Sequence, residues 1–132
     1  MQPPATLALL RTQAGACALR VRMARGFFGR LRGLMFAPPL PPHTGLLIPR
    51  CASVHTCFMR QALDLLYLDA DGRVTQCVAQ VKPWRMSVAG LGGRTGGRRT
   101  RHVLELPAGS IARLDIRPAD RLLHPLLGGS AR

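Results

Sequence analysis

The sequence predicts an α+β domain, mainly antiparallel β, with a small, partly closed barrel-like sheet and two short helices. Its apolar stretches have strand length and are separated by Gly, Pro and Asp, a D-x-D-G turn sits between two of them, and only two stretches carry helical spacing. With 132 residues and 47% hydrophobic content, a chain of this kind buries about two-thirds of its unfolded surface, enough for one core and too little for two. The expectation is a single domain over residues 1–132, folded from about residue 6 to residue 124, with 125–132 a disordered tail.

The elements follow from local pattern. Ala16–Met23 alternates apolar and polar residues in its second half and reads as a half-buried strand. Phe27–Met35 fits helical spacing, with Phe27, Leu31 and Leu34 on one face and Arg30 and Arg32 away from it, and the proline-rich Pro38-Pro39-Leu40-Pro41-Pro42 ends it. Gly45–Pro49 is a short buried strand. Val54–Met59 is a strand in which His55, Cys57 and Met59 share one face and Val54, Thr56 and Phe58 the other. Leu63–Leu68 and Val74–Val81 flank the turn Asp69-Ala70-Asp71-Gly72-Arg73 and form a hairpin, because Gly and Asp tolerate positive φ. The likeness of that turn to the start of a calcium loop fails for want of downstream acidic ligands. Gly90–Gly97 lacks the strand-to-helix setting and the G-K-[ST] ending of a phosphate-binding loop, and is read as a loop and, at most, a mobile lid. His102–Leu106 is a strand, Pro107–Leu114 a short helix opening on a proline, and Arg121–Leu123 a closing strand.

The formal net charge is +13, from 19 basic and 6 acidic residues, and every basic residue but Lys82 is an arginine. Such a balance favours salt-sensitive, nonspecific contact with nucleic acid or acidic surfaces. The densest patch, from Gly92 to Arg101 with Arg94, Arg98, Arg99 and Arg101, has no interleaved aromatic on which a base could stack, so it reads as a flexible charged loop. No apolar run approaches the roughly 18 residues a membrane helix requires. Thr6–Leu10 is too short for a signal segment and has no basic residue before it, so a cytoplasmic protein is expected. The four cysteines then read as free thiols. Cys51, His55 and Cys57 lack the close pairing typical of zinc ligands, so no metal and no cofactor are expected.

Several motifs in fixed order carry a family resemblance: Arg30-Leu31-Arg32-Gly33-Leu34-Met35, then His55-Thr56-Cys57-Phe58-Met59-Arg60, then Leu63-Asp64 with the Asp71-Gly72 hairpin, Lys82-Pro83-Trp84-Arg85, and Leu104-Glu105-Leu106-Pro107-Ala108-Gly109. Together they resemble family 192 of the domains of unknown function, over about residues 17 to 124. The resemblance implies a compact β-rich α+β domain like a small barrel, and a context near bacterial pilus assembly and secretion rather than an activity. Two positions depart from the family pattern. Its closing Gly-Asp turn is here Ala119-Asp120, where alanine adopts positive φ less readily, and the proline usual before Leu63-Asp64 is here Ala62.

The candidate site residues are polar groups set among core-like segments, where they need partners or a function. His55, Thr56, Arg60, Trp84 and Arg85 make the candidate ligand-binding cleft, with Trp84 either floor or packing and Arg85 supplying charge. Asp64 lies between Leu63 and Leu65 and calls for a buried partner such as Arg30, Arg60 or His55. Glu105 lies in the same frame between Leu104 and Leu106, and two such carboxylates could converge and separate their pKa values. The leading reading is a noncatalytic binding or accessory module that engages an anionic small molecule or a protein segment. A small hydrolase using His55 with Asp64 or Glu105 is the enzyme alternative. Nucleic-acid binding through Arg94–Arg101 is the third.

Overall fold

The computed structural model describes residues 5–23, 40–51, 53–55, 61–88, 99–125 and 127. The alternation read in Ala16–Met23 becomes strand β2 (Gly15–Met23), in which Leu19 and Val21 are buried while Arg20 and Arg22 face solvent. It is preceded by a strand that the sequence reading passed over, β1 (Thr6–Thr12), joined to β2 by a tight hairpin in which Thr12 stands opposite Gly15. β3 (Thr44–Ile48), β4 (Ser53–His55), β5 (Leu63–Leu68), β6 (Val74–Val81), β7 (Met86–Val88), β8 (His102–Pro107) and β9 (Arg121–Leu123) follow. Among the described residues there is one helix, α1 (Ser110–Leu114). It begins later than expected. Pro107 ends β8, and Gly109, at φ 89°, turns the chain into the helix as its N-cap. The other expected helix, Phe27–Met35, lies outside the described residues.

Seven strands form one sheet in the order β6-β5-β8-β3-β2-β1-β9, and β4 pairs with β7 in a separate ribbon. All pairings are antiparallel except β2 with β3. A parallel pair needs a long crossover, and residues 24–43 supply the length. Leucines and valines from all seven strands, among them Leu10, Leu19, Leu47, Leu66, Leu104, Leu122 and Val74, meet in one buried cluster, so the sheet curls around its inner face. At the seam Arg73 bridges to Arg121, the Val74 N–H donates to the Asp120 carbonyl at 2.7 Å, and the Leu122 N–H donates to the Gly72 carbonyl at 2.8 Å. The two end strands thus touch, and the barrel is partly closed.

Gly72 is required at that seam. Its φ is 85°, and a Cβ there would lie 2.3 Å from the Leu122 carbonyl oxygen. Ala119 sits across the seam at φ 80°, with its N–H donating to the Val74 carbonyl at 2.8 Å. Alanine pays about 1 kcal/mol to stay in this left-handed region. Ala119→Gly is therefore expected to raise stability by roughly 0.5–1 kcal/mol after the entropy glycine costs in the unfolded chain. Urea denaturation of the two proteins reads this directly, and an unchanged or lower midpoint would show that the seam is relaxed.

Candidate functional site

β4 and β7 place Ser53 opposite Val88, Val54 opposite Ser87 and His55 opposite Met86. Trp84 and Arg85 lead directly into β7, so the pairing brings the backbone at His55, Trp84 and Arg85 to one ribbon. Thr56 and Arg60 lie outside the described residues. Trp84 is 57% exposed and Met86 74%, with the exposed Arg85 between them. Trp84 holds φ 63°, a left-handed conformation that costs a bulky side chain about 1–3 kcal/mol and is typical of functional sites. The ribbon is tied to the outer face of the large sheet by the Tyr67 and Ser87 hydroxyls, 2.7 Å apart. Burial holds the Tyr67 phenol above its ordinary pKa.

Glu105 belongs to that same outer face. It stands opposite Leu65 on β5 and Leu46 on β3, two pairs along from the Tyr67–Val103 pair. It is 3% exposed, and its Oε2 has no hydrogen-bond partner among the described residues. Burial pushes its pKa up to about 8, so the side chain is a neutral carboxylic acid at neutral pH.

Asp64 faces the other way. It stands opposite Leu106, on the side of the sheet that carries Leu66 and Leu104, so its carboxylate points into the barrel and away from the ribbon. Oδ1 accepts the Gln80 N–H at 2.8 Å and Oδ2 accepts the Ile111 N–H at 2.7 Å. Among the described residues its partners are two backbone amides; the expected partners Arg30 and Arg60, and the side chain of His55, lie outside the described residues. The reason is local. Gln80 lies in a bulge of β6, where two residues oppose Asp64 alone, and its φ of 53° turns the amide out of the ladder; Ile111 lies in the first turn of α1, whose amides have no intrahelical acceptor. The expected convergence of Asp64 with Glu105 is overturned by register, which puts the two acids on opposite faces. Asp64 also faces away from the ribbon that carries His55.

His102 and Arg50 form a contact the sequence reading did not find: His102 Nδ1 accepts the Arg50 N–H at 3.1 Å. Burial, aided by the Arg101 and Arg50 charges, lowers the histidine pKa and keeps the ring neutral. Tyr67 and Ser87 were also missed, although the alternation of Met86-Ser87-Val88 carries a weak strand signal. Among the described residues no three His, Cys, Asp or Glu side chains gather as a metal site, and Cys17, Cys51 and Cys77 are outside any disulfide. Burial pushes the Cys77 thiol up to about 11, so it is a poor nucleophile. Arg94 and Arg98 lie outside the described residues. Arg99 and Arg101 are exposed, and the Arg101 N–H donates to the Leu68 carbonyl at 2.7 Å. No described helix is long and apolar enough to cross a membrane.

A family profile described as Uncharacterized ACR, family 192 of the domains of unknown function, matches residues 9–124 and so takes in part of β1 as well as the motifs above. A UPF0127 protein of Pyrococcus furiosus is 33% identical over 118 residues, covering 84% of this chain and 91% of its own length. Among solved structures, a protein of unknown function from Novosphingobium aromaticivorans is similar with a TM-score of 0.77 and 25% identity, over 91% of this chain and 85% of that one. A protein of Sinorhizobium meliloti named as a candidate transcription regulator gives a TM-score of 0.79 at 25% identity, over 92% of this chain and 95% of that one.

Proposed function

The chain belongs to this uncharacterised family, and on that premise we propose that it is a noncatalytic binding module whose β4–β7 ribbon engages an acidic protein segment with apolar anchors. The observation that carries the reading is Trp84: an indole 57% exposed and held at φ 63°. Strain of this kind persists where surrounding structure enforces it, and it clusters at sites of contact. Met86 and Arg85 extend the same surface, and Trp, Met and Arg are the side chains that interfaces concentrate. The net charge of +13 favours an acidic partner. Pilus assembly and secretion, the context the family resemblance implies, are the processes in which to look for such a partner.

Trp84 is the only tryptophan, so its emission reports the ribbon alone. Titration with short acidic peptides containing leucine or phenylalanine is expected to shift that emission to the blue, and Arg85→Glu is expected to weaken binding about tenfold or more, equivalent to about 1.4 kcal/mol, with stability unchanged. Peptides that bind while leaving Trp84 emission and Arg85→Glu affinity untouched would sink the reading.

A second reading, nucleic-acid binding, is favoured by the overall charge and by the description of the Sinorhizobium meliloti relative in structure. Affinity for duplex DNA that collapses between low and physiological salt, with no preference for sequence, would reduce it to nonspecific charge.

A further inference from the structure

The seam of the barrel places three arginines in one row. Arg11 on β1 pairs with Arg121 on β9, and Arg121 bridges to Arg73 at the start of β6. Directly paired residues project to the same face, and their neighbours Leu10, Leu122 and Val74 belong to the inner cluster, so the arginine row lies on the outside of the barrel. With strands about 4.8 Å apart, three guanidinium groups are borne over a span of about 10 Å. Like charges directly across strands repel and lower stability. Among the described residues the only ion pair nearby is Arg117 with Asp115, at 3.2 Å; neither Arg11, Arg73 nor Arg121 has a carboxylate partner there.

A shallow cleft opens beside the row, lined by Arg11, Thr12, Gln13, Asp120 and Arg121 together with the Pro118-Ala119 turn. Its wall is fixed. Arg121 Nε donates to the Asp71 carbonyl at 3.2 Å, and Arg117 Nη1 donates to Gln13 Oε1 at 3.5 Å. Asp120, which also lines the cleft, is 8% exposed and its Oδ2 accepts the Arg117 N–H at 2.7 Å, so one carboxylate oxygen is engaged by the backbone. Asp71, in the hairpin turn, and Asp115 are exposed acids at the margins of the row. They bound the positive field.

We propose that the row Arg11–Arg121–Arg73 and the adjoining cleft form a binding site for a short polyphosphate group, the di- or triphosphate of a small molecule lying across the strands. Arginine forks match phosphate oxygens in pairs, and successive phosphates along such a group meet successive guanidiniums. The acids at its margins favour a short anion over a long nucleic-acid backbone, which would run onto like charge. An anion seated there also removes the repulsion that the pairing creates.

The test is calorimetric titration of the full chain with tripolyphosphate at ionic strength held constant with sodium chloride. One anion per chain is expected, with affinity reduced about tenfold or more in the double variant Arg11→Gln/Arg73→Gln. Arg121 is left in place because its Nε holds the seam. The double variant is expected to be at least as stable as the parent without anion, because it dissolves a like-charge row. A control of equal charge change, Arg20→Gln/Arg99→Gln, is expected to keep the parent affinity. Equal losses in both double variants would reduce the effect to net charge and overturn the proposal. So would the absence of binding beyond that of chloride, or affinity for single-stranded RNA that keeps rising with length while tripolyphosphate fails to compete.

Discussion

Asp64→Asn is expected to cost about 2 kcal/mol of folding stability and Asp64→Ala about 4 kcal/mol, because the carboxylate is the acceptor for two buried amides. The Gln80 and Ile111 N–H groups donate to it at 2.8 and 2.7 Å, and the side chain is fully buried. Hydrogen bonds to a charged acceptor contribute about 1.5–3 kcal/mol each, and an amide left without one inside the barrel keeps its desolvation cost. Asparagine retains one acceptor oxygen but turns an NH2 toward the other amide, so one bond is lost; alanine loses both. The losses are offset in part because a buried charge is also removed. Urea denaturation measures both values, and amide exchange at Gln80 and Ile111 is expected to speed up in each variant. Should Asp64→Asn retain parent stability while abolishing an activity, the structural account of Asp64 would be wrong and the hydrolase reading would return.

Asp64 and Glu105 show where sequence ends as a guide. Leu63-Asp64-Leu65 and Leu104-Glu105-Leu106 look alike as strings, yet one acid faces inward onto two amides and the other outward among leucines. The difference is set by the pairing of β5 with β8 and by a bulge one strand away at Gln80, and neither has a signature in the chain near either acid. Local chemistry was readable: the Asp69–Arg73 turn closes as expected, with Asp69 Oδ1 accepting the Asp71 and Arg73 N–H groups, both at 2.9 Å. Leu63–Leu68 is buried throughout, as its composition implies. Non-local features were not readable. Thr6–Thr12 is apolar at too many positions for a clean period-two signal, and the parallel pairing of β2 with β3 depends on a crossover. Tyr67, inside a continuous apolar strand, gave no hint that its hydroxyl would reach Ser87. The strain at Ala119 was visible through the family resemblance, which places glycine there.

Glu105→Met is expected to stabilise the protein by roughly 3 kcal/mol at neutral pH, and to abolish a pH dependence that the parent shows. The folded-state pKa is raised from 4.5 to about 8 by burial. Between those values the native state keeps a proton that the unfolded state has released, so the unfolded chain binds fewer protons and stability falls as pH rises, by about 1.4 kcal/mol per unit. The contribution is fully present below the unfolded pKa and is lost as pH rises through the folded one. Methionine follows the shape of the glutamate stem, fits between Leu46 and Leu65, and carries no group that must ionise or be satisfied. Glu105→Gln separates the two effects: it flattens the pH profile equally but leaves an amide buried, so its gain is smaller. Denaturation midpoints at about pH 5, 7 and 9 should show parent and Glu105→Met close together in acid and far apart in base. Parallel profiles would mean that the acid has a partner that holds its charge. A carboxylic acid kept neutral at this cost, on the sheet face that carries the β4–β7 ribbon, is the residue most at odds with stability alone, and proteins retain such residues where function requires them. A Glu105→Met protein that is more stable yet weaker toward the acidic peptides would place the acid in the binding machinery.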